Sequence, residues 1–174
     1  MDSSQVIVWA ALAVLLFWTV GAYNRLVGLR SGLVASFATV DAQFRHRHGL
    51  LLRQADLLEP QAGTDTQPLE AFRAACAQAE AACSRARLRP VAAGLVTSLR
   101  LAEEILADAR RRLPEAAGND ELAALAGELN ASDSTFAFAR RQFNEQVDAY
   151  NRAVRQFPTW LIAGLFRFHR AGTL

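Results

Sequence analysis

The stretch "VIVWAALAVLLFWTVGAY", residues 6–23, carries no charged side chain. As a helix it spans about 27 Å, close to the hydrocarbon thickness of a bilayer. Trp9, Trp18 and Tyr23 place aromatic rings along it as interfacial anchors. A cleaved signal peptide is the competing reading. That requires a basic start, whereas only Asp2 and the terminal amine precede the run. Arg25 and Arg30 follow it, and the positive-inside rule then sets the N-terminus outside and the remainder in the cytoplasm. Residues 1–24 are therefore expected to form a single transmembrane anchor.

The remainder reads as all-α. Gly and Pro are few and fall at candidate breaks. Leu33, Phe37, Val40, Phe44, His48, Leu51, Ala55 and Leu58 recur at spacings of three and four, one helical stripe that continues the anchor as a single rod. "EPQAGTDTQP" marks a loop, with Asp65 or Thr66 as caps. A second stripe runs through Leu69, Phe72, Cys76, Ala79, Cys83 and Ala86, and Pro90 ends or kinks its helix. A third runs through Val91, Leu95, Ser98, Ala102, Ile105, Ala109 and Leu113. A fourth, capped by Asn119 or Asp120, runs through Leu122, Leu125, Leu129, Phe136, Phe143, Val147, Tyr150, Val154 and Phe157. Short connections favour antiparallel neighbours. The expected fold is an N-terminal transmembrane helix continuing into an antiparallel up-down four-helix bundle over residues 25–157.

An even number of traversals returns the chain to the bilayer. After Pro158, "TWLIAGLFRF" is too apolar for water and too short to span, so residues 158–174 are expected to lie at the membrane interface. The expected interface set is Trp9, Trp18, Tyr23, Arg25, Arg30, Phe157, Trp160, Leu161, Phe166 and Arg167. Tyr23-Asn24-Arg25 is echoed by Tyr150-Asn151-Arg152, which suggests that the two stretches lie level, with Arg25 beside Asp148 and Arg30 beside Glu145. The middle helices run about 33 Å each against about 54–57 Å for the outer two. That leaves a stem bearing Phe37, Phe143, Val147 and Tyr150, whose faces seal one another or are covered by another subunit.

No catalytic constellation stands out. His46 and His48 point about 200° apart on a helix and cannot share a metal. Cys76 and Cys83 lie about 10.5 Å apart along a helix, beyond disulfide reach, and read as small core residues. No Gly-rich phosphate loop or zinc pattern appears, and a net charge of +2 gives no argument for nucleic acid. No cofactor or metal is expected, and the chain is not expected to be an enzyme.

"FAFARRQFNEQVDAYNRAVRQFPTWLIAGLF", residues 136–166, and "YNRLVGLRSGLVASFATVDAQFRHRHGLL", residues 23–51, resemble the LemA family. The first matches its FAR-x-x-(F/Y)-N-x-x-V-x-x-YN closing pattern. The second matches its YN-x-LV start, VD-x-Q motif and basic RRH-like run. Leu52-Arg53 stands where many members carry Pro-Asn. The resemblance implies a membrane-anchored helical bundle with a bromodomain-like arrangement in the bacterial inner membrane, and no established activity. The expected function is a non-enzymatic scaffold or adaptor bound to membrane lipids and assembling with copies of itself. The alternative is an accessory subunit of a membrane-protein partner such as an envelope protease.

Overall fold

The computed structural model describes residues 3–61, 63, 65–114, 120–157 and 159–174. The expected cap Asn119 and the break at Pro158 lie outside the described residues. Five α-helices, and no strand among the described residues, make up the fold. They are α1 (Ser3–Leu58), α2 (Gln67–Leu88), α3 (Ala93–Arg111), α4 (Asp120–Arg155) and α5 (Thr159–Leu165), with a 3-10 turn at Glu59–Gln61.

α1 is a rod about 84 Å long. Its first third stands clear of the rest, and an 18-residue window there has mean hydropathy 2.1 with almost none of it buried. By length and composition the helix is long and apolar enough to cross a membrane. Its lower stripe is as expected but for His48: Leu33, Phe37, Val40, Phe44, Leu51, Ala55 and Leu58 are all buried, whereas His48 is half-buried and Arg47 beside it is buried.

α2 begins after Thr66, whose hydroxyl bonds Glu70 rather than capping the backbone. Asp65 accepts instead from the Gln67 amide at 3.3 Å. The predicted stripe is buried throughout, both cysteines included. Pro90 is a turn. The Arg89 and Ala92 amides close two short bonds on Ala86 and Arg89, and α3 starts afresh at Ala93.

α3 departs from the expected stripe. Its buried line runs through Val96, Leu99, Ala102, Leu106 and Ala109, leaving Ser98 and Ile105 exposed. The rotation turns Glu103 inward to meet Arg47 of α1. An ion pair thus decides between two apolar lines of similar content.

Contacts along α1 and α4 run in opposite numerical sense. Phe37 meets Phe143 edge-on at 5.5 Å, Phe44 meets Phe136 at 6.3 Å, and Arg47 approaches Asp133 at 3.7 Å. Steps of seven and three up α1 are steps of seven and three down α4. On this ladder Tyr150 lies opposite Arg30, not Tyr23. The expected level pairing of the two Tyr-Asn-Arg stretches is therefore wrong by seven residues, about 10 Å. Correspondingly, neither Arg25 with Asp148 nor Arg30 with Glu145 forms an ion pair.

Phe37, Phe143, Val147 and Tyr150 are all buried within the chain, inside one continuous core. The faces of the stem seal one another. No second subunit is needed to cover these four side chains.

Candidate membrane-facing site and the carboxy-terminal strap

The base of the molecule is a junction of α1, α4 and α5. Ala22 and Leu26 of α1, Ala153 of α4, and Ile162 and Ala163 of α5 form a small second core, with Trp18, Val154 and Phe168 packed against it. Small residues on all three helices let them approach closely. One face of α5 is therefore spent on the protein. Its other face is left outward and apolar: Trp160, Leu161 and Leu165 are exposed, as are the flanking Phe157 and Phe166.

These side chains continue the exposed apolar surface of α1, where Trp9 is two-thirds exposed and Phe17 three-quarters. Tyr23 joins the two surfaces. Its ring lies 4.9 Å from that of Phe166 and 6.1 Å from that of Phe168. Arg25, Arg30, Arg152, Arg155, Arg167 and Arg170 are all exposed on this part of the molecule. Of the expected interface set, Trp18 alone is half-buried, because it packs under α5.

α5 closes with a reversal. The Phe168 amide donates to the Ala163 carbonyl at 2.9 Å and the Arg167 amide to Gly164 at 3.4 Å, the two bonds of a Schellman cap. Arg167 takes the left-handed position, φ 56°, that glycine usually fills.

Within the segment expected at the membrane interface, residues 168–174 pack on the protein's own helices. They turn back in extended form and dock on the inner flank of α4 beside the start of α3. Asn151 Nδ2 donates to the Ala171 carbonyl at 3.0 Å, and Asn151 Oδ1 accepts from the Ala171 amide at 2.9 Å. Asn144 repeats the pair on Leu174, at 2.8 and 2.9 Å. The Tyr150 hydroxyl donates to the His169 carbonyl at 2.9 Å. Burial pushes the Tyr150 hydroxyl's pKa up, against the opposing charge of Arg30. Ala171 and Leu174 are buried and belong to the main core. At Gly172 a Cβ would stand 2.8 Å from the Ala93 carbonyl oxygen, so the strap passes α3 where no side chain fits.

Asn144, Tyr150 and Asn151 all lie within the closing pattern noted above, yet no role for the two asparagines is read there. The available signal was a pair of asparagines seven apart in a helix interior, where they are poor helix formers.

The conspicuous polar group away from the base is on α1. Arg47 is buried, bonds Glu103, approaches Asp133 and lies 4.3 Å above the Phe136 ring. Beside it the α3–α4 cleft is open, with cavities of about 520 and 300 Å³ that both have Arg47 and Glu103 in their walls. Among the described residues no group of three or more His, Cys, Asp or Glu is arranged to hold a metal ion.

The fold and base together define an all-α protein with one N-terminal helix long and apolar enough to cross a membrane. The model of the LemA family matches residues 36–174, and the chain belongs to that family. No curated protein and no solved structure matches it.

Proposed function

We propose that this chain is a membrane-anchored, non-enzymatic adaptor: an antiparallel up-down four-helix bundle held upright on the bilayer by the start of α1 and the outer face of α5. The observation that carries the reading is the continuous apolar surface from Trp9 through Tyr23 to Trp160 and Leu165. Such a surface is costly in water and fits lipid. Exposed arginines above it suit an anionic leaflet, at about 1 kcal/mol each near the surface. By the positive-inside rule they put the bundle in the cytoplasm of a bacterial cell, with the N-terminus across the inner membrane.

Self-assembly was expected from the stem, and that argument falls away because the stem's side chains are covered within the chain. The partners proposed are membrane lipids and a protein docked on the bundle, with no nucleic acid. The runner-up is an accessory role to a membrane enzyme, which differs only in the identity of the docked protein.

Vesicle flotation of the full chain tests the reading. The chain should float with liposomes and resist carbonate extraction. Polarity-sensitive dyes on single cysteines at 160 and 165 should report lipid, whereas one at 130 should report water. Dyes at 160 and 165 reading as aqueous, or a mature chain lacking residues 1–24, would overturn it.

A further inference from the structure

We propose that the α3–α4 cleft is a groove for an extended polypeptide segment read through its main chain. Its lower section is filled by the chain's own strap, and its open section, from Leu174 to Asn130, receives a segment of another protein.

The strap shows how the groove reads. Each asparagine carboxamide pairs with both the amide and the carbonyl of one strap residue. These four bonds recognise main chain, as strand addition does at a sheet edge, while the buried Ala171 and Leu174 side chains and the close pass at Gly172 suit the strap's own sequence to the lower section. The repeat is also matched. Seven helical residues from Asn144 to Asn151 rise about 10.5 Å, and three extended residues from Ala171 to Leu174 cover about 10 Å.

The same stripe continues up α4. The next heptad positions are Ala137 and then Asn130, which lines the cavity of about 520 Å³. Leu174 forms a wall of the adjoining cavity of about 300 Å³. Asn130 thus stands about 21 Å beyond Asn144, the length of six extended residues. The groove outlasts its present occupant by one asparagine.

The floor of the open section is polar, lined by Arg47, Glu103, Arg110, Asn130 and Asp133. Lipid tails do not suit such a floor, and Asn130 lies about 30 Å up α4 from Tyr150, well above the base. A polypeptide, with a donor and an acceptor on every residue, does suit it. The inference rests on the adaptor reading and supplies its docking surface.

The test uses the full chain in nanodiscs, strap in place. A phage library of random linear nonapeptides is selected on it after subtraction on empty discs. A peptide should be enriched whose affinity falls at least tenfold with Asn130→Ala, an exposed position where alanine favours the helix. It should change less than twofold with Phe157→Ala at the base. No enrichment, or binding unaffected by Asn130→Ala, overturns the groove. The synthetic heptapeptide FHRAGTL, residues 168–174, is then added as competitor. Displacement only at concentrations at least tenfold above that of the selected nonapeptide supports a foreign segment, whereas displacement at equal or lower concentration assigns the site to a second copy's strap and overturns the proposed occupant. In a Gly172→Ala chain, where a Cβ would stand 2.8 Å from the Ala93 carbonyl and the strap has to shift from its seat, FHRAGTL should bind in trans. Its failure to bind would overturn main-chain reading. None of these outcomes bears on flotation, so the groove and the anchor fail separately.

Discussion

Six residues apart on α1, Asp41 and Arg47 bury opposite charges in different ways. Asp41 is a buried carboxylate facing α2. Arg87 grips one of its oxygens at 2.8–2.9 Å, Arg45 reaches the other at 3.1 Å, and the Cys83 thiol lies 3.5 Å away. Both arginines remain more than a third exposed, so their heads keep much of their hydration. Arg47 reverses the arrangement. One buried guanidinium holds Glu103, itself about a tenth exposed, and approaches Asp133. The first site lies in a seam packed by alanine and cysteine. The second forms the floor of an open cleft and leaves polar atoms unbonded. A seam that only has to hold can be finished with flexible exposed partners. A seam that stays open has to fix its charge internally.

The largest expected effect breaks the second site. Arg47→Met removes the guanidinium and leaves the nine-tenths-buried Glu103 carboxylate without its partner, which should cost about 3–5 kcal/mol. Adding Glu103→Leu should recover much of that loss, because a buried pair exchanged for apolar groups is often near neutral. Urea unfolding of the detergent-solubilised chain measures both. A single-variant loss below about 1 kcal/mol would show that Glu103 is already hydrated, and the contrast between the seams would disappear.

Asp41→Asn is the matching change at the first site and should cost less, about 1–2 kcal/mol. Arg45 and Arg87 can turn their heads to water, and the asparagine Oδ1 still accepts from the thiol, so the loss is of the carboxylate's charge alone. If Asp41→Asn proves as damaging as Arg47→Met, partner exposure is not what distinguishes the two seams.

A smaller effect concerns the thiols. Burial pushes the Cys76 thiol up to about 11 and the Cys83 thiol to about 12, with Asp41 adding to the latter through its charge and hydrogen bond. Iodoacetamide at about pH 8 should therefore leave both unmodified in the folded chain and label both after denaturation. Asp41→Asn should raise the native labelling rate of Cys83 and leave Cys76 unchanged. Equal rises at both would point to general opening rather than loss of the local carboxylate.

The stripes of α1, α2 and α4 were legible because their inward faces are apolar at helical spacing and little competes with them. α3 was misread by one position. Ser98 and Ile105 offer nearly the same spacing as Leu99 and Leu106, and the choice depends on Glu103 finding Arg47, a contact between distant parts of the chain. The exposed base was legible too, since Trp160, Leu161 and Phe166 are apolar without a visible partner. The strap was not. Asn144 and Asn151 recognise amides and carbonyls, which every residue has, so the sequence of the strap carries no complementary pattern. The echo of Tyr-Asn-Arg misled for a related reason. Tyr150 and Asn151 serve the strap, whereas Tyr23 packs on Phe166 and Phe168, so equal letters hold different places.

His48 adjoins the Arg47 site and gives the finest test of the difference between the two. Its ring stacks on Phe44 at 5.5 Å, with Nδ1 buried and unbonded. Burial holds its pKa below the ordinary 6.5, and Arg47 lowers it further. Glu80 from α2 and Glu103 from α3 pull the other way without prevailing. The folded chain thus resists a proton that the unfolded chain accepts. His48's contribution to stability is whole above about pH 6.5 and declines as pH falls from there toward the folded pKa. Unfolding midpoints measured between about pH 7.5 and 5 should fall with acidity, and His48→Gln should flatten that part of the profile. Glu103→Gln removes one of the two opposing charges and should steepen the decline, whereas Arg87→Gln, on the far side of the Asp41 seam, should not. An equal response to both would mean that the imidazole senses net charge rather than the buried pair beside it.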